Sequence, residues 1–229
     1  LKSKSAEFLF SSFKKFLLSN NKFTEDWTLL NVISSDAATV GSLDLDIINQ
    51  KSDLIKNLSE HKFDLVFLMG QDNIKFNKKN EFVIYIGSHG DNGAELADII
   101  LPGAAYTEQS GHYTNLEGKI QKAHKASYPP GDAKEDWQII NELAKFMNNR
   151  GLFNDKDELE SSMFNYINLK KEKQESLSNL KVNLSNFEDE NLKITYKDYY
   201  FSNVIARSSK TMLNCNNSKL EVKRTGTEG

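Results

Sequence analysis

Cys215 is the single thiol of the chain, and it has no second Cys and no His at ligand spacing. Iron–sulfur clusters are held by several thiolates at once, so this chain alone is not expected to hold one. The same count excludes an internal disulfide and makes a reducing compartment the default expectation. The histidines, His61, His89, His112 and His124, show no HxxxH spacing and no Cys companion, which argues against a metal site. Asp98 with Glu108 or Glu117 has the residue types of an acid–base pair. No nucleophile or base accompanies them, and turn hydrogen bonding is the simpler role. Gly87-Ser88-His89-Gly90 lacks the GxSxG order of a hydrolase elbow. Gly87, Gly90 and Gly93 do not form a GxGxxG that opens a helix. His89 follows directly on a predicted strand, where open α/β sheets bind ligands, yet a loop-stabilising hydrogen bond accounts for it more simply. Trp137 and the cluster Tyr199-Tyr200-Phe201 are expected as core or docking aromatics.

The elements that position these residues are legible from apolar spacing. In residues 5–18, Phe8, Leu9, Phe13, Phe16 and Leu17 recur near helical period with lysines between them, the pattern of an amphipathic surface helix ended by Asn20 and Asn21. Residues 28–33 form a short apolar run, a strand or the start of a helix. Residues 51–61 read as a helix leading into a strand over 63–68, and a second strand covers 82–86. Continuous runs such as Leu65-Val66-Phe67-Leu68 and Val83-Ile84-Tyr85-Ile86 suit strands buried on both faces of a parallel sheet. From 90 to 131 the texture changes to Gly, Pro, polar and aromatic residues without period, apart from an apolar patch at 97–101. A loop of that length is usually functional or an interaction surface. A helix over 132–147 follows, with Asp132 as N-cap, Glu135 completing a capping box, and Trp137, Ile140 and Ala144, flanked by Ile139 and Leu143, as its buried stripe. Beyond it, 155–167 reads as a helix, 170–191 as a polar linker, 192–200 as a strand or arm, 202–213 as a last helix and 218–229 as a mobile tail.

These elements predict an α/β fold: a mostly parallel sheet with flanking helices over residues 1–150, then a helical and extended C-terminal extension over 151–229, partly disordered. With 38% hydrophobic and 27% charged residues, the composition is that of an ordinary packed chain. A net charge of -3 leaves no basic excess to attract nucleic acid. No run approaches the roughly 18–20 apolar residues that span a bilayer. The sequence starts at Leu1 with no signal-peptide pattern and reads as a segment of a longer protein.

The string from Gly87 to Gln121, GSHGDNGAELADIILPGAAYTEQSGHYTNLEGKIQ, carries a resemblance. Its Ala97, Asp98, Leu101, Pro102, Glu108, Gly111, Asn115, Glu117, Gly118 and Lys119 resemble the signature of the molybdopterin-oxidoreductase family, an ADxxLP turn followed by Glu, Gly, Asn and EG(R/K). The preceding His89, Gly90, Asp91, Gly93 and Ala94 are similar to the branch formed by the large iron–sulfur subunit of respiratory complex I, where cofactor-bearing members have a Thr-rich stretch. PPGDAKEDWQII from Pro129, DYYFSNVIARSSKTMLNC from Asp198 and GSLDLD from Gly41 are similar to the same branch.

The resemblance implies a molybdopterin-oxidoreductase-like fold that has lost its cofactor, with no catalytic, cofactor-binding or metal residue in this segment. It implies 2Fe-2S and 4Fe-4S clusters in a preceding ferredoxin-like region, and other peripheral-arm subunits of complex I as partners. It further implies a peripheral place on the cytoplasmic face of a bacterial inner membrane or the matrix side of the mitochondrial one. The loop residues are then structural: Asp98 caps backbone donors, Pro102 sets an extended turn, Asn115 and Glu117 satisfy loop backbone, and Lys119 pairs with a carboxylate. Gly111 and Gly118 stand where a Cβ would clash or force a positive φ. The competing expectation is a fragment of an active molybdenum enzyme of the formate dehydrogenase type, and a third is a free-standing interaction module.

Overall fold

The computed structural model describes residues 5–22, 33–34, 37–48, 53–172, 187–188 and 198–224. Along the chain run α1 (Ala6–Ser19), α2 (Thr39–Asp44), α3 (Leu54–Ser59), β1 (Leu65–Met69), β2 (Phe82–Gly87), α4 (Asn92–Glu95), β3 (Ile99–Pro102), β4 (Gly111–Thr114), β5 (Ile120–Ala123), α5 (Asp136–Asn148), α6 (Lys156–Glu172), α7 (Val204–Ser208) and α8 (Lys210–Arg224). Among the described residues no helix is long and apolar enough to cross a membrane. Residues 28–32 of the predicted apolar run, most of the predicted linker and most of the predicted arm lie outside the described residues.

The centre is a three-stranded parallel sheet in the order β1-β2-β3. Its register pairs Phe67 with Ile84 and Ile84 with Ile99. Leu68, Val83 and Tyr85 form the core on one face, where Val66, Ile74, Phe76, Ala94 and Ala97 pack around them. Ile74 and Phe76 come from the β1–β2 connection and Ala94 and Ala97 from the β2–β3 connection. Right-handed crossovers stepping in one direction put both connections on the same face. The other face differs from the expectation of strands buried on both sides. There Leu65, Phe67, Met69, Phe82 and Ile99 are each 40–51% exposed, whereas Ile86, at the end of β2, is buried. Continuous apolar runs signal two-sided burial, but cover for the second face has to come from outside these connections.

The entry to β2 is fixed electrostatically. Glu81 accepts the Lys79 backbone N–H at 2.6 Å and stands 2.6 Å from Nδ1 of His61, which ends the turn after α3 with a φ of 55°. The Lys79 N–H, then His61, hold the Glu81 carboxyl down at about 2.

The stretch expected as one long loop contains α4, β3 and an antiparallel β4–β5 hairpin. Strands of four residues are too short to show a period in sequence. The predicted helix at 132 starts later. Lys134 accepts the Ala104 N–H (2.8 Å) and donates to the Pro102 carbonyl (3.2 Å), continuing past β3. With its backbone so engaged, the helix begins at Asp136 with Glu135 as N-cap, and Gln138 Oε1 accepts the Glu135 N–H at 3.2 Å. Asp132 therefore lies in the preceding turn, after Gly131 at φ 57°. The most buried positions of α5 are Ile139 and Asn141, while Trp137, Ile140, Leu143 and Ala144 are half-buried. In α1, Ser11, Lys14 and Leu17 are buried, but Leu9, Phe13 and Phe16 of the predicted stripe face outward. The predicted last helix is two, α7 and α8, broken at Ser209 in extended conformation, and α8 carries the backbone helical to Arg224, into the predicted tail.

Candidate functional site

The carboxyl ends of β1, β2 and β3 converge on one cleft of about 520 Å³ lined by Gly70, Asp72, Gly87, Ser88, Ala104 and Asp136. In an open parallel sheet this is where a ligand sits. Here its remaining wall is the chain's own C-terminal element, residues 202–207, which packs over the strand ends. An ion pair fastens that element: Arg207 Nε donates to Asp91 Oδ2 at 2.5 Å, and Arg207 Nη1 reaches the Phe201 carbonyl at 3.3 Å. Asn203 caps α7 by accepting the Ala206 N–H at 2.9 Å. Burial raises the Asp91 carboxyl, but the Arg207 guanidinium, the Asn92 N–H and Lys75 together bring it below its ordinary value.

Beneath the cleft, the Tyr85 hydroxyl stands within hydrogen-bonding distance of the Asp72 carboxylate and, at 2.8 Å, of the His89 carbonyl. Burial, then Asp72, pushes the phenol well above its usual range. The His89 ring instead meets Ser88 Oγ at 2.9 Å at the surface. Asp136 carries a carboxyl raised by burial and then by the charge of Glu135.

The predicted loop residues do not form a single constellation. Gly90 and Asp91 lie at the strand-end side, where Asp91 also accepts the Asn92 N–H and opens α4. Ala97 packs on the sheet core. Asp98 accepts the Val83 N–H at 2.7 Å and pairs with Lys78 at 2.6 Å. Lys78, then the Val83 N–H, lower its carboxyl. It ties β2 to the end of its crossover. Pro102 closes β3, and Glu108 accepts the Ala105 N–H at 2.9 Å. Asn115 organises the β4–β5 turn: its Oδ1 accepts the N–H groups of Glu117 (3.0 Å) and Lys119 (2.9 Å). Glu117 itself receives only a long contact from Asn115 Nδ2, 3.4 Å. Among the described residues Lys119 makes no ion pair, so its contribution is backbone pairing with Asn115.

The two glycines of the loop part company. Gly118 adopts φ 80°, and a Cβ there would meet open space, so conformation alone selects glycine. Gly111 has neither a positive φ nor a crowded Cβ position, contrary to expectation. Gly118→Val is expected to lower stability by more than about 1 kcal/mol, because a β-branched residue is strained at positive φ. A denaturant melt checks this, and an unchanged midpoint would mean the turn relaxes freely.

Sequence reasoning did not single out the roles of Arg207, Tyr85, Asp72 or Asn141, and it placed Glu135 inside the helix as the capping-box partner of Asp132, whereas Glu135 is itself the N-cap. Glu135 joins three elements: Lys156 Nζ lies 2.5 Å from Oε2, Trp137 Nε1 donates to it at 3.2 Å, and Lys125 stands 3.7 Å from Oε1. Lys122 pairs with Glu160 at 2.8 Å, and Tyr166 bonds Asp46 at 2.8 Å, so α6 is fastened to the earlier part of the chain. Arg207 alone had a visible signal, its place in the ARSSK string, but not its partner.

The cleft can be tested against the group that the family name implies. A molybdopterin carries a phosphate, and anions call for Lys, Arg or free backbone N–H groups. Of the described residues lining the cleft, Asp72 and Asp136 are carboxylates, and the one guanidinium, Arg207, is committed to Asp91. The residues present do not fit that group. Among the described residues no cluster of three or more His, Cys, Asp or Glu is placed to hold a metal ion.

Residues 1–146 match the family model of molybdopterin oxidoreductase, and residues 158–215 match that of the C-terminal part of the G-type subunit of NADH-ubiquinone oxidoreductase. The chain is 35% identical over 202 residues to the NADH-ubiquinone oxidoreductase 75 kDa subunit of Reclinomonas americana, covering 84% of this chain and 29% of that protein. It is 35% identical over 230 residues to the 78 kDa subunit of Candida albicans, covering 93% and 31%. With the G-type subunit of NADH-quinone oxidoreductase from Rickettsia typhi it shares 35% identity over 236 residues, 94% and 32%. The chain thus spans about a third of the length of these relatives.

Proposed function

This chain belongs to the molybdopterin oxidoreductase family, with a C-terminal part like that of the G-type subunit of NADH-ubiquinone oxidoreductase, and from that footing we propose that it is a structural and docking segment of the large iron–sulfur subunit of complex I. That complex passes electrons from NADH through flavin and iron–sulfur clusters to quinone, coupled to proton translocation. The segment holds no redox centre, and the clusters belong to another region of the full subunit. Its partners are other peripheral-arm subunits, and its place is peripheral, on the cytoplasmic or matrix side of the membrane. Residues 1–150 form the family's α/β part and 151–229 the subunit's extension.

One observation carries this reading: one wall of the strand-end cleft is the chain's own residues 202–207, latched through Arg207 and Asp91. A catalytic member needs that space for cofactor and substrate, whereas here residues of the C-terminal extension occupy one side of it and tie the extension to the strand ends. Isolated, the chain is expected to neither oxidise NADH nor reduce a quinone analogue, and turnover above a denatured control would contradict this. The proposal is tested by affinity isolation of the full-length subunit from membranes with analysis for flavin, iron and molybdenum. Co-isolation with flavin and iron but no stoichiometric molybdenum is the expected result. Molybdenum in stoichiometric amount would replace it with the formate dehydrogenase-type reading, and isolation alone, without flavin or iron, with a free-standing module.

A further inference from the structure

The exposed face of the three-stranded sheet points to an occupant. Leu65, Phe67 and Met69 of β1, Phe82 of β2 and Ile99 of β3 lie side by side through the register Leu65↔Phe82, Phe67↔Ile84 and Ile84↔Ile99. They make one continuous apolar surface on strands that pair only in parallel. Parallel sheets occur with both faces covered, because an apolar face left to water forfeits the burial that drives folding.

Both crossover connections already lie on the opposite face, against Leu68, Val83 and Tyr85. The helix before β1 is on that side too, since Leu58 of α3 shares a hollow with Ile74, Phe76 and Leu96. The helix after β3, α5, begins at the strand ends beside Ala104. On that face Ile86, at the end of β2, is already buried at 1% exposure, whereas Leu65, Phe67, Phe82 and Ile99 stay 40–51% exposed, so it is the part of the face around Phe67 that lacks cover. The polypeptide outside this stretch is long: more than two thirds of each relative lies beyond the matched region. Because residues 158–215 match the C-terminal part of the G-type subunit, that remainder lies ahead of this segment in the relatives.

We infer that the open face is the seat of helices from the preceding polypeptide of the same subunit, which present a stripe of Leu, Ile, Val or Ala side chains to Phe67 and its neighbours. An occupant from the same chain escapes the translational cost that a separate partner bears. An α/β layer completed in this way has the usual helix–sheet–helix form. The inference rests on the family membership and not on the scaffold reading, so either can fail without the other.

The test places the photoreactive p-benzoylphenylalanine at Phe67 in the full-length subunit within its native assembly, followed by irradiation and mass spectrometric mapping. The expected product is an intrachain cross-link to a segment ahead of the residue corresponding to Leu1, at a yield at least tenfold above the same probe at exposed Tyr128. Cross-links to a different subunit, to a second copy, or to residues of this segment itself would each overturn the inference, as would a yield no higher than at Tyr128. If the bulky probe at Phe67 blocks assembly, the same probe at Leu65, at the start of β1, gives the second reading with the same outcomes.

Discussion

Tyr85→Ala is expected to destabilise the chain by about 3–5 kcal/mol, the range for removing a buried aromatic side chain. Tyr85 is 1% exposed and forms the core with Leu68 and Val83. Its ring bridges β2 to both crossovers, and its hydroxyl serves Asp72 and the His89 carbonyl. Truncation opens a cavity and removes the one O–H that the Asp72 carboxylate and the His89 carbonyl share. Tyr85→Phe separates these contributions. It keeps the ring and is expected to cost about 1–3 kcal/mol, the penalty of acceptors left without a partner. Urea melts of both variants measure the two costs. An alanine variant within about 1 kcal/mol of the parent would place the core elsewhere.

Asn141→Leu is expected to be nearly as damaging, at about 2–4 kcal/mol, although leucine is the better helix former. The side chain is buried in α5 and answers three backbone groups of the following turn. Its Oδ1 accepts the N–H of Leu152 (2.6 Å) and Phe153 (3.0 Å), and its Nδ2 donates to the Phe153 carbonyl (2.8 Å). Leucine leaves all of them unpaired in a half-buried place. Asn141→Asp retains the acceptor and loses only the donor, so it is expected to keep roughly half of the lost stability. Equal losses for Leu and Asp would show that packing, not the hydrogen bonds, is what the asparagine supplies.

These two residues also mark where the sequence was readable. The helices expected at 5–18, 51–61, 132–147 and 155–167 and the strands expected at 63–68 and 82–86 each have a counterpart, with shifted ends, in α1, α3, α5, α6, β1 and β2, because each is long enough or apolar enough to repeat its signal. β3 and the β4–β5 hairpin did not, since four residues give at most two turns of alternation. Asp132 had the right spacing for a capping box, but tertiary pairing of Lys134 with the end of β3 moved the helix start to Glu135. The signature loop identified the family before its geometry was known. What its residues do was legible only in part: the Asn115 turn and the positive φ of Gly118 follow local rules, whereas the Asp98 contacts with Val83 and Lys78 depend on strands meeting in space. The Arg207–Asp91 latch joins positions 116 residues apart, and no local pattern encodes such a pair.

Asp91 lies below its ordinary value through Arg207, while Asp136 lies above its own through burial, so the strand-end cleft has one carboxyl in its lining and one behind its Arg207 wall, moved in opposite directions. That arrangement suits a closed structural junction, with one charge neutralised by a fastened partner and the other partly withdrawn from water.

The central claim, that this segment supports but does not carry redox chemistry, is tested most directly by metal content. The chain would be treated anaerobically with iron and sulfide, desalted, and assayed for visible absorption and for bound iron and molybdenum. A colourless protein with substoichiometric amounts of both metals is the expected result. Charge-transfer absorption with stoichiometric iron, or stoichiometric molybdenum, would contradict it.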